Sequence, residues 1–222
     1  MLKNKPSIFS NVFKFILLIA TGIILTFVLI SYGVPKLIVF LIVLALYVAV
    51  SILWPMYIIY KSTSLRAIGR YISGNYKKPI FGYSYALAHG DKRDVENALK
   101  RIMNTYVQQD MSDVYGANLA LFQKNSKNLL MHAENISGQE YKDYYFGHAY
   151  VMNGNFDKAS EFLAKLHTPW MIHSLKAYAA HKRGNRDTFR QEADQSIKSA
   201  IGMQRYVLHH TMRRFESGDF KI

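Results

Sequence analysis

The chain contains no cysteine, so disulfide frameworks, Cys-ligated zinc, thiol nucleophiles and iron–sulfur clusters are excluded. No acidic residue precedes Asp91. There is no Gly-rich loop of the Walker type, no G-x-S-x-G elbow and no H-E-x-x-H, so no catalytic residue, cofactor or enzymatic activity is expected. No stretch alternates apolar and polar residues between turn pairs, so strands are not expected either. Eight histidines raise the question of a metal. His209 and His210 are adjacent on a helical stretch and point about 100° apart, and His167 and His173 have no carboxylate three or four residues away. No metal is expected.

Two long uncharged runs stand out against these absences. Phe15 to Pro35 (21 residues) and Leu37 to Tyr60 (24 residues) each match the roughly 20 apolar residues that a helix needs to cross a bilayer core. A signal peptide is disfavoured, because no small-residue cleavage site follows the first run and a second run does. Neither run holds an ionisable residue, which argues for an anchor rather than a transport path. Lys3, Lys5 and Lys14 precede the first run, and Lys61, Arg66, Arg70, Lys77 and Lys78 follow the second. This bias predicts both termini in the cytoplasm. Tyr32, Trp54, Tyr57 and Tyr60 suit aromatic belts, and Pro55 predicts a kink near the inner end. Ser62-Thr63-Ser64 predicts a cap for a short helix on which Leu65, Ile68 and Ile72 share a face that lies on the inner leaflet, with the five basic residues held by anionic headgroups. The expected organisation is a basic tail (1–14), a transmembrane helical hairpin (15–60), a basic juxtamembrane linker (61–78) and a cytoplasmic domain (79–222).

Within that domain a small signature recurs: His89-Gly90-Asp91, Asn153-Gly154-Asn155, Arg183-Gly184-Asn185 and Ser217-Gly218-Asp219. The glycines are 64, 30 and 34 residues apart, with a degenerate turn at Lys124-Asn125-Ser126 halving the first interval. A period near 34 predicts stacked helical hairpins, in which glycine ends one helix and Asp or Asn caps the next. Val95, Leu99, Ile102 and Tyr106 mark one helical face. Asp110 predicts a cap for Val114 to Phe122, Ser137 to Glu140 reads as a capping box, and Thr168-Pro169 as a helix start. The pairs Asp91/Asp94 and Asp110/Asp113 are taken as helix-start charges that complement the dipole. Met203 to Glu216 is expected to cover the end of the stack.

On these residues the third hairpin resembles the tetratricopeptide repeat (TPR) family: Gly147 falls at the small position of the first helix, Tyr150 at its aromatic position, and Phe156 and Ala159 beyond the turn. Asp143 stands where that family often has Trp, and the helix-breaking Pro is displaced to Pro169. The resemblance covers 79–218 as a periodicity and 141–166 as a motif. The layout is also similar to that of HemY-type bacterial membrane proteins with helical repeats. It implies an all-α fold and a groove on the first helices. Carried over residue by residue, the groove comprises Tyr141, Tyr144, His148, Val151 and Met152 in the third unit and Met171, Ser174, Tyr178, His181 and Lys182 in the fourth. Tyr141, Tyr144, His148, Met152, Ser174, Tyr178 and His181 are the expected partner contacts, suited to a peptide or helix. The same residues can instead pack against the final helix, since short stacks need capping.

The function expected is recruitment of a protein partner to the cytoplasmic face of the membrane. Two alternatives are an accessory subunit of a membrane enzyme complex, docked through its hairpin, and a membrane-tethered nucleic-acid binder. The last draws on nine basic residues between Lys176 and Arg214, but no recognition motif accompanies them. A small-molecule substrate is disfavoured.

Overall fold

The computed structural model describes residues 9–218, with side chains from residue 16. Lys3, Lys5, the Lys14 side chain and Asp219 lie outside the described residues. Among these there is helix and no strand. Helices α1 (Phe9–Ser31) and α2 (Lys36–Val48) pack on each other across the turn at Gly33, whose φ is 75°. α2 runs through a π-helical turn, Ala49–Leu53, into α3 (Trp54–Tyr60), so Lys36–Tyr60 forms one 25-residue rod. The π turn lies just ahead of Pro55, whose ring crowds the carbonyl four residues earlier and which has no N–H to donate; widening the ladder there accommodates both. The rod is long and apolar enough to cross a membrane; Ile16–Ser31 is apolar but shorter.

α4 (Leu65–Asn75) begins as the sequence indicated, with the Ser64 hydroxyl accepting the Ala67 N–H at 3.3 Å. Its apolar face, expected on the inner leaflet, is covered by protein instead. Ile68 and Ile72 are buried against Ile58 of the rod and against Tyr85 and Tyr206 of the following domain. Residues 61–78 are thus part of the packed body: a face that can be covered by protein gains more specific packing there than on lipid.

Four helix pairs follow: α5 (Pro79–His89) with α6 (Lys92–Thr105), α7 (Gln109–Phe122) with α8 (Ser126–Asn135), α9 (Gln139–Met152) with α10 (Phe156–Leu163), and α11 (Pro169–Lys182) with α12 (Arg186–Ser199). Val95, Leu99 and Ile102 are fully buried on α6, as their spacing indicated. Three inter-helix turns share one geometry. Lys124, Gly154 and Gly184 take φ of 57°, 76° and 75°, and Asn125, Asn155 and Asn185 then accept the N–H of Asn128, Lys158 and Thr188. The degenerate turn is therefore a true member of the set, at the cost of strain that glycine avoids.

The first turn differs. Gly90 has φ −91°, and Asp91 and Asp94 form a reciprocal capping box. The end of α5 is instead satisfied by α13 (Gly202–Ser217), which returns to the start of the domain. Arg214 Nε donates to Leu87 O at 2.7 Å, and its Nη2 donates to Ala86 O at 3.2 Å and Gly90 O at 2.6 Å. Ala86 O also accepts the Gly90 N–H at 2.7 Å, while the Leu87 and Gly90 carbonyls at the helix terminus take the guanidinium as partner. α13 also packs on α3 and α4, where the Gly202 N–H donates to Ser62 O at 2.8 Å.

Candidate functional site

α5, α7, α9, α11 and α13 present their N-termini at one end of the body. At that end Asp110 Oδ1 accepts the Ser137 N–H at 2.8 Å, and Glu140 accepts the N–H groups of His167 and Thr168 at 2.7 and 2.6 Å and the Thr168 hydroxyl at 2.8 Å. Both carboxylates therefore tie one helix pair to the next. This corrects the expected roles: α9 starts at Gln139 without a capping box, because Glu140 is drawn to α11, and α7 starts at Gln109, ahead of Asp110. Asp113 is buried and does not act as a helix-start charge; it pairs with His132 Nδ1 at 2.9 Å and accepts from Gln109 Nε2 at 2.7 Å.

Gly147 explains how closely neighbouring repeats approach, since a Cβ there would collide with the Leu175 side chain of α11. The inner helices and α13 enclose a cavity of about 540 Å³, within the range of small-ligand sites. Tyr141, Tyr144, His148, Ser174 and Tyr178 line it, while Met152 and His181 do not. Met152 is half-buried against the core, and His181 is exposed beside Phe189 and Phe215, each 5.3 Å between ring centres. α13 forms one wall, so the concave face is partly roofed. Tyr141 remains 43% exposed at the rim.

Within the cavity the Tyr144 hydroxyl and Ser174 Oγ are 2.9 Å apart. The His148 ring sits 4.5 Å from that of Tyr144 and 5.1 Å from that of Tyr178 and is 2% exposed, and neither of its nitrogens has a hydrogen-bond partner. Burial pulls its pKa down to about 3 and pushes Tyr144 and Tyr178 up to about 12. At neutral pH these groups are all uncharged. Among the described residues lining the cavity, only Asp110, at the rim, carries a charge.

Sequence reasoning missed Trp170, Asn118, Met111 and the α13 wall, including Gln204 and Thr211. Trp170, Ser174 and Tyr178 repeat every four residues on α11, as Met111, Tyr115 and Asn118 do at four and three on α7; these stripes were the available signal. No group of His and carboxylate residues that would hold a metal occurs among the described residues.

Lys61, Arg66, Arg70, Lys77 and Lys78 are all exposed. Of the nine basic residues from Lys176 to Arg214, four are engaged within the chain: Arg214 is buried at the end of α5, Arg190 pairs with Glu216 at 2.7 Å, Lys198 pairs with Asp194, and Arg183 lies 4.1 Å over the Phe156 ring. Comparison with protein-family models, with curated proteins and with solved structures gives no match.

Proposed function

We propose that this chain is a membrane-anchored adaptor of the tetratricopeptide kind, with two N-terminal helices crossing the membrane as a hairpin and both termini cytoplasmic. Its repeat domain gathers a protein partner at the cytoplasmic face. The observation that carries this reading is the lock between domain and anchor: Gly202 on Ser62, with Tyr206, Ile58, Ile68 and Ile72 packed together. A partner bound to a domain held in this way is confined in distance and orientation, which raises its effective concentration. The exposed basic residues from Lys61 to Lys78 favour an anionic leaflet, each by about 1 kcal/mol, and Tyr141 with Trp170, 6.4 Å between ring centres, offers aromatic contact at the rim.

A second reading is favoured by a cleft of about 480 Å³ between α1 and α2, lined by Gly22, Thr26, Val43 and Tyr47. A partner's apolar helix would fit there, making the chain an accessory subunit of a membrane complex. Photocrosslinking groups placed at Tyr141 and at Phe27, in native membranes, separate the two. A protein adduct at 141 that the unmodified chain competes away supports the adaptor; adducts confined to 27 overturn it in favour of the accessory subunit.

A further inference from the structure

The partly roofed cavity has properties that a protein-docking groove does not need. It is lined mainly by aromatic and aliphatic side chains, and its one imidazole, His148, is buried with both nitrogens unpaired. Buried polar atoms are nearly always hydrogen-bonded, and leaving one unmade is costly. A neutral imidazole offers one N–H donor and one bare acceptor nitrogen. A hydroxyl can satisfy either. A carboxylate or an ammonium group would bring a charge into a site with no opposite charge in its interior, which is strongly unfavourable.

The route of entry narrows the source. Met203 and Gln204, on the α13 wall, follow directly on Gly202, which is packed against Ile59 and Tyr60 at the end of the apolar rod. On the proposed membrane placement, the cavity adjoins the headgroup layer. We propose that it binds a neutral lipophilic alcohol drawn from the membrane, with the apolar body among Tyr144, Trp170, Tyr178 and Val207 and the hydroxyl reaching His148, whose nitrogens are covered in this structure, once the adjacent Tyr144 and Tyr178 rings part. This rests on the membrane placement above, not on the protein partner.

The two tryptophans, Trp54 on the rod and Trp170 in the cavity, test these separately in the full chain reconstituted in phosphatidylcholine nanodiscs. With Trp54→Phe, fluorescence of Trp170 is titrated with 11-bromoundecanol and with 11-bromoundecanoate. Saturable quenching at least ~10-fold tighter for the alcohol, and weakened ~10-fold by His148→Leu, is expected for loss of one buried hydrogen bond. Val207→Phe, which adds bulk to the α13 wall of the cavity, should abolish saturation while leaving the helical circular dichroism intact. Non-saturating quenching, equal affinity for acid and alcohol, or indifference to both substitutions overturns the proposal. With Trp170→Phe, quenching of Trp54 by brominated phosphatidylcholine reports the membrane placement alone. Quenched Trp54 beside unquenched Trp170 removes the ligand and keeps the anchor; unquenched Trp54 removes the premise of both.

Discussion

The rod Lys36–Tyr60 and the domain α5–α13 use apolar residues in opposite ways. Along α1 to α3 most large side chains face outward, Phe27 at 73% and Leu37 at 70% exposure, and among the described residues of these helices only Val39 and Ile58 are buried. In the domain, Val95, Leu99, Ile102, Leu129 and Ala177 are 1% exposed or less. On the proposed membrane placement the first region is specified by its solvent, for which any apolar side chain on a helix long enough to span serves. The second is specified by fit: which residue is small, which hydroxyl meets which carbonyl, and which helix closes the stack. Substitutions should therefore be graded by region more than by chemistry.

The largest effect is expected where the regions meet. Gly202 has φ 57°, and a Cβ there would drive into the Ile59 carbonyl. Gly202→Ala combines left-handed strain with a collision against backbone, and should cost at least about 4 kcal/mol and break the Gly202–Ser62 hydrogen bond. Thermal unfolding in nanodiscs, with limited proteolysis between Tyr60 and Leu65, checks this. An unchanged melt would mean that domain and anchor are not locked.

Inside the domain, Arg214→Met keeps most of the side-chain volume but leaves the Ala86, Leu87 and Gly90 carbonyls without the guanidinium. A loss of about 3 kcal/mol is expected, similar to Leu99→Ala, which opens a cavity in the core. Denaturant melts of the two variants should fall together. If Arg214→Met is neutral, α13 is not what closes the stack.

Much of this was legible beforehand. Helix was announced by the spacing of Val95, Leu99 and Ile102, and the repeated turns by glycine followed by Asp or Asn, because backbone geometry restricts which residues can stand there. The groove stripe on α9 and α11 also placed five of seven residues on the cavity. What was not legible depended on contacts distant in the chain. Arg214 meets Leu87 127 residues earlier, and Glu140, whose local spacing suits a capping box, is captured by Thr168, 28 residues later. The face of α4 was misplaced for the same reason: Ile68 and Ile72 show that it is apolar, but only Tyr206 shows what covers it. Periodicity reveals that a face is buried, not by which partner.

His148 gives a smaller effect with a definite direction. Its folded pKa, lowered to about 3 by burial, lies below the ordinary 6.5. Between those values the unfolded chain holds a proton that the native chain does not, so stability is full above pH 6.5 and declines as pH falls toward 3. At pH 5 the loss from this residue is about 2 kcal/mol. Half-buried His210, lowered to about 4 mainly by burial, adds a term of the same sign and similar size over this range, and His209, lowered mainly by burial, adds to it. Urea melts from pH 7 to 5 should show this slope, and His148→Leu should reduce it by up to about half. A His148→Leu variant with the original slope would place the acid sensitivity elsewhere.

The smallest effect lies in the region specified by solvent. Leu41 on α2 is 53% exposed, so Leu41→Ala removes methyl groups without opening a protein cavity. In lipid the domain's melting temperature should shift by an amount corresponding to less than about 0.5 kcal/mol, against about 3 for Leu99→Ala on α6. The same residue change thus separates the two environments. On the proposed placement Leu41→Asp inverts the outcome, because a carboxylate within the outer half of the bilayer costs up to about 3 kcal/mol on insertion, while the domain's own unfolding should stay unchanged. Membrane fractionation reads the first and a thermal melt the second. If Leu41→Ala destabilised the domain as Leu99→Ala does, the outward face of the rod would be packed against protein, and the contrast between the two regions would fail.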